Sequence, residues 1–123
     1  MIKLSRLTDY AVTLLTQMVS GGERIWAASD LAGKTGLPLP TVSKVLKQLA
    51  KGGILKAQRG ASGGYRLAGL PDAISVASVV EAMDGPIALT ERAVCPMGGR
   101  WNKINRAVKG ALADVSLADM AQP

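Results

Sequence analysis

Apolar positions recur at helical spacing along most of this 123-residue chain, and glycine pairs divide it into short elements. Leu4 to Ser20 reads as a first helix, with Leu7, Tyr10, Ala11, Leu14, Leu15 and Met18 on its inner stripe and Gly21-Gly22 ending it. Glu23 to Trp26 reads as a short strand. Ala28 to Lys34 reads as a second helix with Leu31 inward and Gly36 at its C-cap. Leu37 to Pro40 forms a turn, and Pro40 suits the first position of a third helix ending at Lys51. In that helix Val42, Val45, Leu46 and Leu49 fall at i, i+3, i+4 and i+7 and face the core, which leaves Thr41, Ser43, Lys44, Lys47, Gln48 and Lys51 outside. Gly52-Gly53 stops the helix. Ile54 to Gln58 and Tyr65 to Leu67 then read as two strands joined by Arg59-Gly-Ala-Ser-Gly-Gly64, a loop whose glycines permit positive φ and close backbone approach.

Beyond a turn at Gly69 to Asp72, Ser75 is placed to cap a helix over Val76 to Met83, with Val76, Val79, Val80 and Met83 inward. Asp84-Gly-Pro86 ends it, and Ile87 to Gly99 is irregular and carries Cys95-Pro96. Arg100 to Val115 is the longest predicted helix, with Trp101, Ile104, Val108, Leu112 and Val115 on one stripe. Near the end of a small domain such a stripe has little of its own core left to cover. Packing on a second copy, as a dimerisation helix, is therefore expected; the alternative is a helix folded back on the preceding domain. Ser116-Leu-Ala-Asp119 has the form of a capping box. The expected fold is mainly α with a small β-wing: a winged helix-turn-helix domain over 1–70, a connecting helix and loop over 71–99, and a dimerisation helix and tail over 100–123.

Charge changes this picture from architecture to function. The net charge is +6, and the basic residues are concentrated: residues 1–70 carry a net of +7 and residues 71–123 a net of −1. From Lys34 to Arg66 there are seven basic residues and no acid. A basic helix followed by a basic, glycine-rich wing is the electrostatic footprint of a nucleic-acid binder. Lys3 and Arg6 oppose the dipole at the start of the first helix and are candidate phosphate contacts. With no Phe, two Trp and two Tyr, the core must be aliphatic. The single Cys95 excludes an internal disulfide framework. No apolar run approaches the ~20 residues of a membrane span, and Met1 to Arg6 lacks the apolar centre of a signal peptide, so a cytoplasmic protein is expected. Without histidine, a nucleophile–base arrangement or a phosphate loop, catalysis is not expected. The competing function is a protein-interaction module whose acidic partner would use the same basic face.

Three stretches resemble one family: Leu4-Ser-Arg-Leu-Thr-Asp-Tyr-Ala-Val12, the wing Arg59-Gly-Ala-Ser-Gly-Gly-Tyr-Arg-Leu67, and a tail with Cys95-Pro, Trp101-Asn-Lys-Ile104 and Val115-Ser-Leu-Ala-Asp119. They are similar to the IscR/NsrR-type bacterial transcription regulators, and most to those of SUF-type iron–sulfur cluster assembly genes. The resemblance implies a homodimer on double-stranded DNA with a pseudo-palindromic operator. It places Thr41, Ser43, Lys44 and Lys47 in the major groove and Arg59, Gly60, Ser62, Gly63 and Tyr65 at the wing contact. A wing arginine can enter a narrow A·T-rich minor groove, where the negative potential is enhanced.

The resemblance also implies an iron–sulfur cluster held by cysteines in the loop before the long helix. Cys95 matches the last of those and is the one candidate ligand. The loop Thr90 to Val94 holds no other cysteine, and Gly98 stands where some members place a histidine. One chain therefore cannot supply the usual thiolate set. Three explanations stay open: a cluster-free regulator with no cofactor, a chain lacking a ligand-bearing loop, or Cys95 acting as a redox thiol, alone or paired across the dimer. Arg92 and Arg100 lie near Cys95 in sequence and would lower a thiol pKa.

Overall fold

The computed structural model describes residues 4–61, 63–87 and 99–121. The elements run α1 (Arg6–Ser20), α2 (Ala28–Thr35), α3 (Leu39–Lys51), β1 (Leu55–Gln58), β2 (Gly64–Leu67), a short 3-10 turn at Pro71–Ala73, α4 (Val76–Asp84), α5 (Gly99–Ala113) and α6 (Leu117–Ala121). The fold is mainly α with a two-stranded antiparallel wing. In the wing Leu55 pairs with Leu67, Lys56 with Arg66, Ala57 with Tyr65, and Gln58 with Gly64.

The apolar stripes of α1, α3 and α4 meet in one core. Leu14, Leu15, Val42, Leu46, Leu49 and Val79 are fully buried there, together with Leu31 from α2 and Leu117 from α6. Because α4 and α6 both pack on α1, residues on either side of the Gly69–Asp72 turn share this core. Tyr10 is half-buried against it. Ser75 caps α4 by accepting from the Ser78 amide at 3.2 Å. Ser116 and Asp119 form the reciprocal bonds of a capping box at 3.0 and 3.1 Å. The stretch before α6 returns to the start of α4: the Val76 amide donates to the Val115 carbonyl at 2.7 Å, and the Leu117 amide to the Ile74 carbonyl at 2.9 Å.

Several sequence expectations are corrected. The first helix starts at Arg6, since Ser5 is extended and serves as its N-cap. The third starts at Leu39 with Pro38 as N-cap. Glu23–Trp26 forms a single antiparallel bridge, Trp26 to Tyr65, where a strand was expected. Helix α5 ends at Ala113, so Val115 lies beyond it, its carbonyl committed to Val76. Gln48 is half-buried with its side-chain amide donating to the carbonyls of Ala82 and Met83, at 3.4 and 3.0 Å. It therefore secures the carboxy end of α4 to α3 and does not belong to the outer face.

A second tie joins α4 to α1. Thr8 is fully buried, and its hydroxyl donates to Asp84 Oδ2 at 2.8 Å; the Ser5 amide reaches the same oxygen at 3.2 Å. Burial raises the Asp84 carboxyl, but hydrogen bonds from the Ser5 and Thr8 hydroxyls and the Ser5 amide outweigh it and hold the pKa below the ordinary value. A depressed carboxyl stabilises the fold above its unfolded pKa, and that contribution is lost as pH falls through the lower folded value. Asp84 is exposed, so water competes for these bonds, and Asp84→Ala is expected to cost on the order of 1 kcal/mol at pH 7. Urea titrations should show the gap from wild type closing below the ordinary carboxyl pKa; an undiminished gap at pH 3 would refute the charge-assisted account.

Candidate nucleic-acid interface

Helix α2, a three-residue turn and α3 place one helix across the other. Gly36 turns the chain in the left-handed region (φ 77°), and its amide closes α2 on the Ala32 carbonyl at 2.9 Å. No side chain caps α3, so the positive end of its dipole is open to an anion. Val42, Val45, Leu46 and Leu49 fix the rotation of α3 about its axis. This leaves Lys44, Lys47 and Lys51 exposed, with Thr41 and Ser43 half-buried beside them. Lys44 and Lys47 line a groove that runs to Glu81 on α4. Glu81 does not cancel the lysines, because its carboxylate is paired with Lys109 of α5 at 3.0 Å.

The wing is built on Trp26. Its side chain is buried, while its backbone exchanges hydrogen bonds of 2.7 and 2.8 Å with Tyr65. The Arg24 guanidinium covers the indole at 3.6 Å from the ring centroid. Gly64 must be glycine for this arrangement, as a Cβ there would stand 2.3 Å from the Trp26 carbonyl oxygen. Gly60, at φ +118°, turns the loop, and its carbonyl accepts from the Gly63 amide at 3.0 Å. Arg59 is exposed at the start of this turn.

The structure thus places Lys44 and Lys47 on an open face and Arg59 on the wing tip. Arg6 is exposed at the first position of α1. Gly60 and Gly63 shape the loop, whereas Tyr65 is half-buried against the core and anchors the wing through its backbone. Lys3, Ser62 and Cys95 lie outside the described residues. Two further cations were not singled out from the sequence: Lys56 and Arg66 are cross-strand partners on the outer face of the hairpin, both exposed. Strand alternation carries that signal, because Leu55 and Leu67 face inward and their neighbours must face out.

On α5, Ile104 is exposed, Val108 and Leu112 are half-buried, and the Trp101 side chain lies outside the described residues. The donor set does not fit an iron–sulfur cluster held by one chain. There is one cysteine and no histidine. The carboxylates of Asp84, Glu81 and Asp119 are engaged by Thr8, Lys109 and the Ser116 amide. Among the described residues no three metal-ligating side chains converge, and no helix is long and apolar enough to cross a membrane.

Comparison with known proteins agrees with a DNA-reading head. The Rrf2 family profile, described as an iron-dependent transcriptional regulator, matches residues 4–123. The transcriptional regulator CymR of Bacillus subtilis is 28% identical, with 98% of this chain and 90% of CymR aligned. The transcriptional regulator IscR of Aliivibrio salmonicida is also 28% identical, over 97% of this chain and 77% of its own. Among solved structures, CymR, the global cysteine regulator of B. subtilis, superposes with a TM-score of 0.79 at 29% identity, covering 98% and 97% of the two chains. The IscR of T. potens gives a TM-score of 0.71 at 26% identity, covering 97% and 85%.

Proposed function

The chain belongs to the Rrf2 family of DNA-binding transcriptional regulators, and from that premise we propose that it acts as a homodimer on a pseudo-palindromic operator, with α3 in the major groove and the wing at the minor groove. The observation that carries this reading is the face of α3 opposite the core: it holds Lys44, Lys47 and Lys51, all exposed, and no acid. Thr41 and Ser43 stand beside them to bond bases or phosphates. Gly60 and Gly63 let the wing backbone come close, Tyr65 holds it in place, and Ser62 is a further candidate contact from the sequence. Arg6 adds a phosphate contact at the start of α1, and Lys3 is a further candidate from the sequence. Dimerisation through Trp101, Ile104, Val108, Leu112 and Val115 is supported by the exposure of Ile104 on α5, with Val115 just beyond the helix end.

Arg59 tests the wing. Arg59→Ala is expected to lose preference for A·T-rich sequence beside the half-site while keeping about the same affinity for G·C-flanked duplexes. Binding isotherms on the two duplex sets decide it; identical curves for variant and wild type on every sequence would remove the wing assignment.

The regulated genes follow from resemblance alone. The wing and tail motifs support iron–sulfur cluster assembly genes, with cluster or redox status as the signal. The single thiol does not fit a cluster on one chain, so any such signal reaches Cys95 as a redox thiol or across the dimer. The likeness to a global cysteine regulator supports a second reading, in which the genes serve sulfur amino-acid supply. Sequencing of genomic fragments retained by the purified protein separates the two.

A further inference from the structure

Beyond its lysines, helix α3 has no side chain free to read a purine through paired hydrogen bonds. Between Leu39 and Lys51 there is no Arg, Asn, Asp or Glu. The one amide, Gln48, is spent on the Ala82 and Met83 carbonyls. What remains for base edges is hydroxyls, lysines and the apolar Leu39 and Pro40 of the first turn. Leu39 occupies the first helical position and is 47% exposed. It has no evident task within the chain: relative to the Pro38 N-cap, the positions of a hydrophobic staple are Leu37 and Val42, half-buried and buried without it. The other large exposed apolar residues described, Leu4, Leu70, Ile104 and Met120, lie on other parts of the fold. Leu39 also shares a stripe with Ser43 and Lys47, at i, i+4 and i+8.

Recognition helices of this architecture read bases with their amino-terminal residues. In the major groove the only apolar feature of a base edge is the 5-methyl group of thymine. We propose that Leu39 is a specificity-determining residue, packing on a thymine methyl group so that each half-site is selected by an apolar contact while Lys44 and Lys47 supply affinity. This rests on the placement of α3 in the major groove argued above. It also explains why a leucine exposed at the head of a lysine-bearing helix is useful there: water is excluded from it only when the matching base is present.

The test uses the full chain and duplexes selected by it from a random pool. Each thymine of the selected half-site is replaced in turn by deoxyuridine, which removes the methyl group and leaves the hydrogen-bonding edge intact. At one thymine per half-site, wild type should bind about fourfold more weakly for each methyl removed. Leu39→Ala, a change at an exposed position that leaves the lysines in place, should bind the thymine and deoxyuridine duplexes alike. If every deoxyuridine duplex binds wild type as its parent does, or if Leu39→Ala still discriminates, the assignment is overturned. Failure of wild type to hold any duplex at low salt would instead remove the major-groove placement, and this assignment with it.

Discussion

Trp26→Ala is expected to lower stability by about 3–5 kcal/mol, the usual cost of deleting a large buried aromatic side chain. The indole is 1% exposed and borders Gly21 so closely that a Cβ on that glycine would lie 2.2 Å from the ring. Trp26 also borders a cavity of about 370 Å³ lined by Met18, Val19, Leu67 and Leu70, so removing the indole enlarges a space that is already open. The loss would be a large fraction of a typical domain's roughly 5–15 kcal/mol. It would also fall on function, because the Trp26 backbone is the edge on which β2 is laid. Denaturant titration should show the midpoint falling sharply, with operator binding lost at temperatures where wild type is fully folded. A variant that melts within 1 kcal/mol of wild type, a difference on the scale of an ordinary surface change, would show that the wing does not depend on this floor.

Lys47→Ala should leave the fold intact and weaken binding to all duplexes by a similar factor. Lys47 is exposed on α3 and has no carboxylate partner among the described residues. A phosphate contact contributes about −0.9 to the slope of log K against log salt. Loss of Lys47 from both protomers of a dimer should therefore flatten the slope by about 2. Since the wild-type line is the steeper, the deficit should be largest at low salt and shrink as salt rises. Filter binding or anisotropy over 50 to 300 mM salt, a range chosen to span about a twofold change in Debye length, would measure it. An unchanged slope would place Lys47 away from the phosphates.

The sequence made the core of this fold legible because helical periodicity is local. The inner stripes of α1, α3 and α4 can be read from spacing alone, and so can the Ser75 cap and the Ser116–Asp119 box. What escaped depends on partners far along the chain. Gln48 looks like any outer-face residue until α4, more than thirty residues on, brings its carbonyls alongside. Thr8 looks like a surface threonine until Asp84 is found beside it. The bridge at Trp26 needs β2 to exist first, and a run of apolar spacing carried the last predicted helix past its true end to Val115. For the interface the outcome was better for charge than for shape: Lys44, Lys47 and Arg59 are all exposed. The Lys56–Arg66 pair required the register of the hairpin, and Tyr65, expected at the wing contact, is half-buried against the core.

The return of the chain at Val115, where its carbonyl meets the Val76 amide, bears on how long the segment before α5 can be. Both flanks of the segment joining α4 to α5 are clamped to the body, by that bond and by the Glu81–Lys109 pair. Whatever is spliced between them closes a ring whose ends are already fixed, and lengthening such a ring carries only a small entropic penalty. A change of length there therefore leaves the packing of α3 and the wing undisturbed. The joining segment can thus vary in length at little thermodynamic cost to the domain that carries it.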